Sequence, residues 1–169
     1  MATNLQLLKS ASGSSVSSLS VTDCFSSAYD VYSAIIRTDS TASSNDWAFL
    51  RFIDNSGSVI SDSEYDYASR SLFSYASFTD EKATGQSSIS RIQYIKNTGD
   101  GGCTYLNIFN PNDSSSFTFT EHQSSMETAS QLIGSKVIGV HKSAEQITGF
   151  SIGHGQTINN INISVYGVK

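Results

Sequence analysis

The sequence predicts an all-β protein: an antiparallel two-sheet sandwich, jelly-roll-like, of about ten short strands. Three observations lead there. Turn signals recur roughly every 8–12 residues, with β-branched and aromatic runs between them. Strand patterning nowhere alternates with helical patterning, which excludes a parallel α/β sheet. Charged residues are 15% of the 169, below the usual quarter or so, so Ser, Thr and Asn do the solubilising, as exposed sheet faces favour. One domain over residues 1–169 is expected, because the length suits a single core and no repeat or linker divides it.

Leu5, Leu7 and Leu8 open a short first strand. Residues 10–20 are mostly serine, but Val16, Leu19 and Val21 recur there, which reads as an edge strand with a polar outer face. Residues 29–37 are rich in β-branched and aromatic side chains and form a strand. Residues 39–45 are a polar loop. In residues 47–53, Trp47, Phe49 and Ile53 fall on one face and Ala48, Leu50 and Phe52 on the other, so this strand is covered on both sides. Asp54-Asn-Ser-Gly57 is a turn. Residues 72–78 read as strand, 80–88 as a charged loop, and 89–96 as strand again. The glycine-rich turn 97–102 leads into a strand over 103–109, and Asn110-Pro-Asn-Asp113 turns the chain. Phe117 and Phe119 mark a short strand. Residues 124–132 fit either one helical turn or an extended loop, and 136–141 read as strand. Phe150 and Ile152 start another, which Gly153-His154-Gly155 should break into a hairpin or tight crossover. The last strand alternates Ile161, Ile163 and Val165 with Asn160, Asn162, Ser164 and Tyr166.

Composition and motifs exclude more than they assign. A formal net charge of −5 makes nucleic acid an unexpected partner. No apolar run approaches the ~20 residues of a membrane span. The first residues lack a basic stretch followed by an apolar one, so synthesis and assembly inside a cell are expected. Cys24 and Cys103 lack zinc-site spacing and read as small buried hydrophobes, with a disulfide left open. Asp62, Glu64 and Asp66 are carboxylates at alternate positions, as hard-cation sites use, but the glycine and distal glutamate of an EF-hand are missing. They read as a solvated loop, as do Asp80 and Glu81. His122, His141 and His154 form no local metal pair and read as polar strand or loop residues. No Gly-x-Ser-x-Gly elbow, placeable carboxylate pair, P-loop or GxGxxG is present. No enzyme, metal or cofactor is therefore expected. Trp47 and the tyrosines either pack sheet faces and subunit contacts or stack on sugar rings.

Three segments carry a resemblance. They are Val140-His-Lys-Ser-Ala-Glu-Gln-Ile-Thr-Gly-Phe, then Gly153-His-Gly-Gln-Thr-Ile, then Ile163-Ser-Val-Tyr-Gly-Val-Lys169. Together they resemble the C-terminal pattern of a broad group of bacteriophage virion proteins: a strand ending in Lys-Ser, then Ile-Thr-Gly, a polar loop, and a final strand closing on Tyr-Gly-Val-Lys. Phe52-Ile-Asp-Asn-Ser-Gly-Ser-Val-Ile60, Tyr65-Asp-Tyr-Ala68 and Tyr29-Asp-Val-Tyr32 resemble earlier parts of those chains. His154 and Gln156 depart from the pattern. The resemblance implies a jelly-roll-like module displayed on a virus particle, often as a trimer. The expectation is a non-enzymatic virion structural protein, assembled in the host cytoplasm, that decorates or cements the capsid. Its partners would be itself, as a homotrimer, and other virion proteins such as the major capsid protein. A short chain with its own Met1 and no fibre shaft favours that role. The alternative is a fibre or tail-tip adhesion module binding host cell-surface glycan. Because the strand over 47–53 is apolar on both faces, Trp47, Phe49 and Tyr32 are the candidate inter-subunit residues.

Overall fold

The computed structural model describes residues 4–41, 43, 45–97, 101–128 and 131–169. Among them are ten strands and no helix: β1 (Leu5–Val21), β2 (Val31–Thr38), β3 (Asp46–Asp54), β4 (Tyr65–Phe73), β5 (Thr79–Gln86), β6 (Ile89–Ile95), β7 (Gly102–Phe109), β8 (Thr118–Thr128), β9 (Gln131–His141) and β10 (Ile147–Val168). All pair antiparallel, in the order β5-β4-β9-β8-β7-β2-β10-β3-β6, with β1 also on β10.

The all-β class stands, and the expected two-sheet sandwich is corrected to one ten-stranded sheet that nearly closes on itself. The cause is β10, which is 22 residues long. Residues from Ile147 to Gly153 pair with β3, and those from Ile161 to Val168 pair with β2. On its other edge β1 follows it from Phe150 to Val168. A strand with two partners in succession on one edge joins what would otherwise be two sheets. The predicted hairpin or crossover at Gly153-His154-Gly155 is therefore absent and the strand runs on, but its pairing is interrupted there: the β1 register jumps from Gly153 to Ile158, a bulge in β10. Gly153 meets a neighbour rather than a turn: a Cβ there would lie 2.5 Å from Phe49 Cζ, so only glycine lets the ring lie against the strand.

Other expectations shift for physical reasons. The two N-terminal segments are one 17-residue strand whose serines face solvent and whose Leu8, Val16 and Leu19 pack inward, as an edge strand on β10 should. The charged stretch read as a loop is edge strand β5, tied to β4 by the bidentate Arg70–Asp80 pair at 2.7 Å and by Tyr67 Oη donating to Glu81 at 2.6 Å. Charge on an edge strand blocks further pairing. The strand expected over 72–78 is β4, which ends at Phe73; its inward residues include Ser69 and Ser71, so apolar alternation does not reveal it. Neither option for 124–132 holds, because β8 and β9 run through this stretch as a hairpin; 129–130 lie outside the described residues. So do 98–100 of the glycine-rich turn and 42 and 44 of the polar loop. Cys24 and Cys103 are free thiols, which closes the disulfide option, and burial pushes the Cys24 thiol up to about 12.

The interior has two chemistries. Between β1, β2, β3 and β10 it is apolar: Ala34, Ile36, Leu50, Phe52, Phe150, Ile152, Ile161, Ile163 and Val165 are buried. Each of these side chains larger than alanine stabilises by roughly 1.5–3 kcal/mol. Two buried tyrosines tie connections down here. Tyr32 Oη donates to Ser26 O at 2.6 Å and accepts from Ser26 N at 2.7 Å. Tyr65 Oη donates to Ile60 O at 3.2 Å and accepts from Phe52 N at 3.0 Å.

Elsewhere the interior is polar, because β6 ends the strand order and lies against β7, β8 and β9 with carbonyls to satisfy. Between Ala48 and Leu50 of β3, the β6 register jumps from Gln93 to Ile89, a bulge centred on Arg91, whose φ is 66°. The bulge aims the Arg91 carbonyl at Ser135 Oγ (2.8 Å) and His122 Nε2 (3.2 Å), both of which donate to it. Ser124 bonds Ser135 at 2.7 Å, and Thr104 donates to Ile92 O at 3.0 Å. The Arg91 side chain leaves the other way and pairs with Glu81 of β5. That ion pair links the two ends of the strand order and nearly closes the sheet.

Candidate binding face

Strands β7, β8, β9 and β4 turn one face to the β6 side and the other to solvent. In β8 the inward residues are Thr118, Thr120, His122, Ser124 and Met126, and the outward ones include Phe119, Glu121 and Gln123. The inner side is thus mainly polar, unlike the apolar inner face of an ordinary half-buried strand, and Phe119 is an apolar ring on an otherwise polar outer side. In β9 the outward residues are Leu132, Lys136, Ile138 and Val140. Ile138 is 65% exposed, Tyr105 of β7 is 59%, and Phe119 is 45%.

Register assembles these into three rows across the sheet. The first is Tyr105, Gln123, Lys136, Arg70, Asp80; the second is Asn107, Glu121, Ile138, Ala68, Lys82; the third is Phe109, Phe119, Val140, Asp66. Two adjoining grooves, of about 610 and 500 Å³, share Ala68, Glu121 and Ile138. The first is lined by Tyr105, Asn107, Gln123 and Lys136, the second by Phe109, Phe119 and Val140. Asn107 Nδ2 donates to Glu121 Oε1 at 3.1 Å. The rows hold three cations (Arg70, Lys82, Lys136) and three carboxylates (Asp66, Asp80, Glu121), so the face is charge-balanced on a chain of net −5.

Ionisation is set by neighbours. The Arg70 guanidinium beside Asp80 holds its carboxyl below the usual range, and Lys142 does the same for Asp66. Arg91 lowers Glu81, while burial and then Glu81 push the Tyr67 phenol up to about 12. Burial pushes His122 down to about 4, so it sits under the face as a neutral donor. Nothing on the face pairs a nucleophile with a base; its chemistry is apolar contact rimmed by hydrogen-bonding groups.

The residues singled out from sequence lie elsewhere. Tyr32 is 0% exposed, with both functions of its hydroxyl satisfied inside the protomer, so it offers no surface to a partner. Trp47 and Phe49 are half-buried on β3, not on the β7–β8–β9–β4 face. Trp47 meets the Tyr94 ring edge-on at 5.1 Å, under the Arg91 guanidinium at 4.9 Å. Phe49 carries Arg51 at 4.8 Å. Their rings are already faced by cations of the same chain. Ile53 is buried with Leu50 and Phe52 rather than beside Trp47. The carboxylate triple is split: Asp66 bonds Lys142 at 2.8 Å, Asp62 is exposed, and Glu64 turns to His141. Tyr105, Phe119 and Ile138 were not predicted as site residues. The alternation at Phe117–Thr120 was a usable signal, but it shows that two faces differ and not which one is outside.

No protein-family model matches the chain, and no curated protein matches it. Among solved structures, it is similar to the CBM2 module of the evolved Dit of Lactobacillus casei BL23 phage J-1, with 9% identity and a TM-score of 0.25 over 90% of this chain and 69% of that one. It is similar to Ail, the attachment invasion locus protein of Yersinia pestis, with 11% identity and a TM-score of 0.22 over 72% and 97%. It is also similar to VP2 of infectious bursal disease virus, with 8% identity and a TM-score of 0.16 over 98% and 41%. At TM-scores this low the overlaps carry no argument about family or activity, and the face has to be read from its own geometry.

Proposed function

We propose that this protein is a non-enzymatic structural protein of a bacteriophage particle, displayed on the particle surface as a capsid decoration or cement protein. In this reading it self-associates, as a trimer, through the outer face of β7, β8, β9 and β4. The single observation that carries the self-association is the set of large apolar side chains that three neighbouring strands expose on this face, Tyr105, Phe119 and Ile138, while β8 buries Thr118, Thr120 and His122 beneath it. A second copy is the occupant that fits. In a three-fold ring one part of this face meets a different part of the next copy, and its three cations and three carboxylates let the two approach without the repulsion that the chain's net charge of −5 would otherwise impose. The virion part of the reading rests on the sequence resemblance. The resembling segments supply most of β10, parts of β2, β3 and β4 and the end of β9, whereas residues 102–138, which hold most of the face, lie outside them.

Sedimentation of wild type against Ile138→Lys and Phe119→Lys tests the face. Wild type is expected to sediment as an oligomer and both variants as folded monomers. Oligomers unchanged by both substitutions would overturn the face, and a protein absent from purified particles would overturn the virion role. The adhesion reading has one feature of its own: the groove lined by Tyr105 with Asn107, Glu121, Gln123 and Lys136 offers a ring to stack on a sugar and polar groups for its hydroxyls. Tyr105→Ala that abolishes cell-surface binding but leaves the oligomer intact would favour it.

A further inference from the structure

Glu64, His141 and Glu145 form a cluster the binding face does not use. Glu64 directly precedes β4, His141 ends β9, and Glu145 lies between β9 and β10. Their ligand atoms lie within 4.8 Å of one another, with His141 Nε2 3.2 Å from Glu64 Oε2 and 3.8 Å from Glu145 Oε1. The His141 side chain is wholly buried against Tyr65 (4.9 Å) and Phe52 (5.9 Å), so Nε2 is held in place, aimed at the two carboxylates. Its other nitrogen, Nδ1, has no hydrogen-bond partner. Glu64 and Glu145 keep 41% and 34% of their side-chain surface, which leaves a path for an ion.

The cluster sets two carboxylates against one imidazole, and among the described residues no Lys or Arg side chain forms an ion pair with either glutamate. Lys142, the nearest in sequence, is held by Asp66 at 2.8 Å. We propose that Glu64, His141 and Glu145 bind one divalent transition-metal ion of the zinc class, clipping the start of β4 to the β9–β10 connection. Ligands about 2.0–2.1 Å from a tetrahedral ion stand about 3.3 Å apart, so the 3.2 and 3.8 Å spacings need little closure, and the remaining Glu64–Glu145 separation, at most 4.8 Å, closes by rotation of two partly exposed side chains. One imidazole, two carboxylates and a water make a donor set that suits zinc better than calcium, which takes six to eight oxygens. The metal takes the Nε2 lone pair, and the imidazole's single proton moves to Nδ1. Nδ1 has no acceptor, so the site has modest affinity.

The test uses the full-length protein stripped with chelator, titrated calorimetrically with Zn2+ and optically with Co2+. Expected are one equivalent bound, four-coordinate cobalt bands in the visible, and a higher melting temperature with zinc. Glu64→Gln and Glu145→Gln should each weaken binding about tenfold or more, and Asp62→Asn, an exposed neighbour outside the cluster, should not. Both glutamates are partly exposed, so their variants fold. No stoichiometric binding, or binding unchanged in either glutamine variant, would overturn the site.

Discussion

Strands β10 and β8 both lie inside the same sheet with a partner on each edge, yet they send opposite chemistry inward. The last third of β10 buries Ile161, Ile163 and Val165 and exposes Asn160 and Asn162. Strand β8 buries Thr118, Thr120, His122 and Ser124 and exposes Phe119. The difference lies in what each faces. Strand β10 faces side chains that seek only apolar area. Strand β8 faces β6, a terminal strand with carbonyls in need of donors. Alternation in a strand therefore separates its two faces; the neighbour decides which face is inside.

The comparison can be broken most forcefully at β10. A chain ending at Asn160 loses the strand between β1 and β2 and should show no cooperative unfolding transition by circular dichroism. A cooperative transition in that chain would mean the apolar half does not depend on β10. Less drastically, Phe150→Ala should lose about 3–5 kcal/mol in denaturant titrations, since the ring is fully buried and packs 6.0 Å from Phe25.

The polar half should respond to pH. Unfolded, His122 takes a proton near the ordinary value of about 6.5; folded, it does so only near 4. Between those values the unfolded state binds more protons, so stability falls as pH is lowered, by on the order of 3 kcal/mol across the window. Above about pH 6.5 the residue adds no pH dependence. Replacing it, as in His122→Gln, should flatten this slope in denaturation curves taken from pH 7 to 4; an unchanged slope would place its origin elsewhere.

Polarity is not required at every inward position of β8. Thr118 and Thr120 are buried with hydroxyls that have no hydrogen-bond partner. Thr120→Val should therefore be neutral or stabilise by about 1 kcal/mol, whereas Ser135→Ala, which strips a donor from the Arg91 carbonyl, should destabilise by about 1–3 kcal/mol. Equal effects from the two would erase the distinction between satisfied and idle hydroxyls. The smallest effect belongs to the outer face: Ile138→Thr should move the stability of the monomer by no more than about 0.5 kcal/mol, measured at concentrations too low for association.

The sequence by itself determined the all-β class, the turn at 54–57, the serine-rich edge strand and the core strand at the C-terminus. Each rests on local rules: period two, glycine and proline punctuation, and β-branched runs. It left open three things that depend on residues far apart in the chain. Gly153-His154-Gly155 looks like a turn until Phe49, about a hundred residues earlier, is laid against Gly153. Residues 79–86 look like a loop until Arg70 and Tyr67 hold them beside β4. The face of Tyr105, Phe119 and Ile138 and the cluster of Glu64, His141 and Glu145 are set by register between strands, which no local pattern encodes. Tyr32, Trp47 and Phe49 were singled out for apolar character alone. The tertiary structure buried the first and set Arg91 and Arg51 against the other two, because a side chain's exposure depends on what the rest of the chain brings to it.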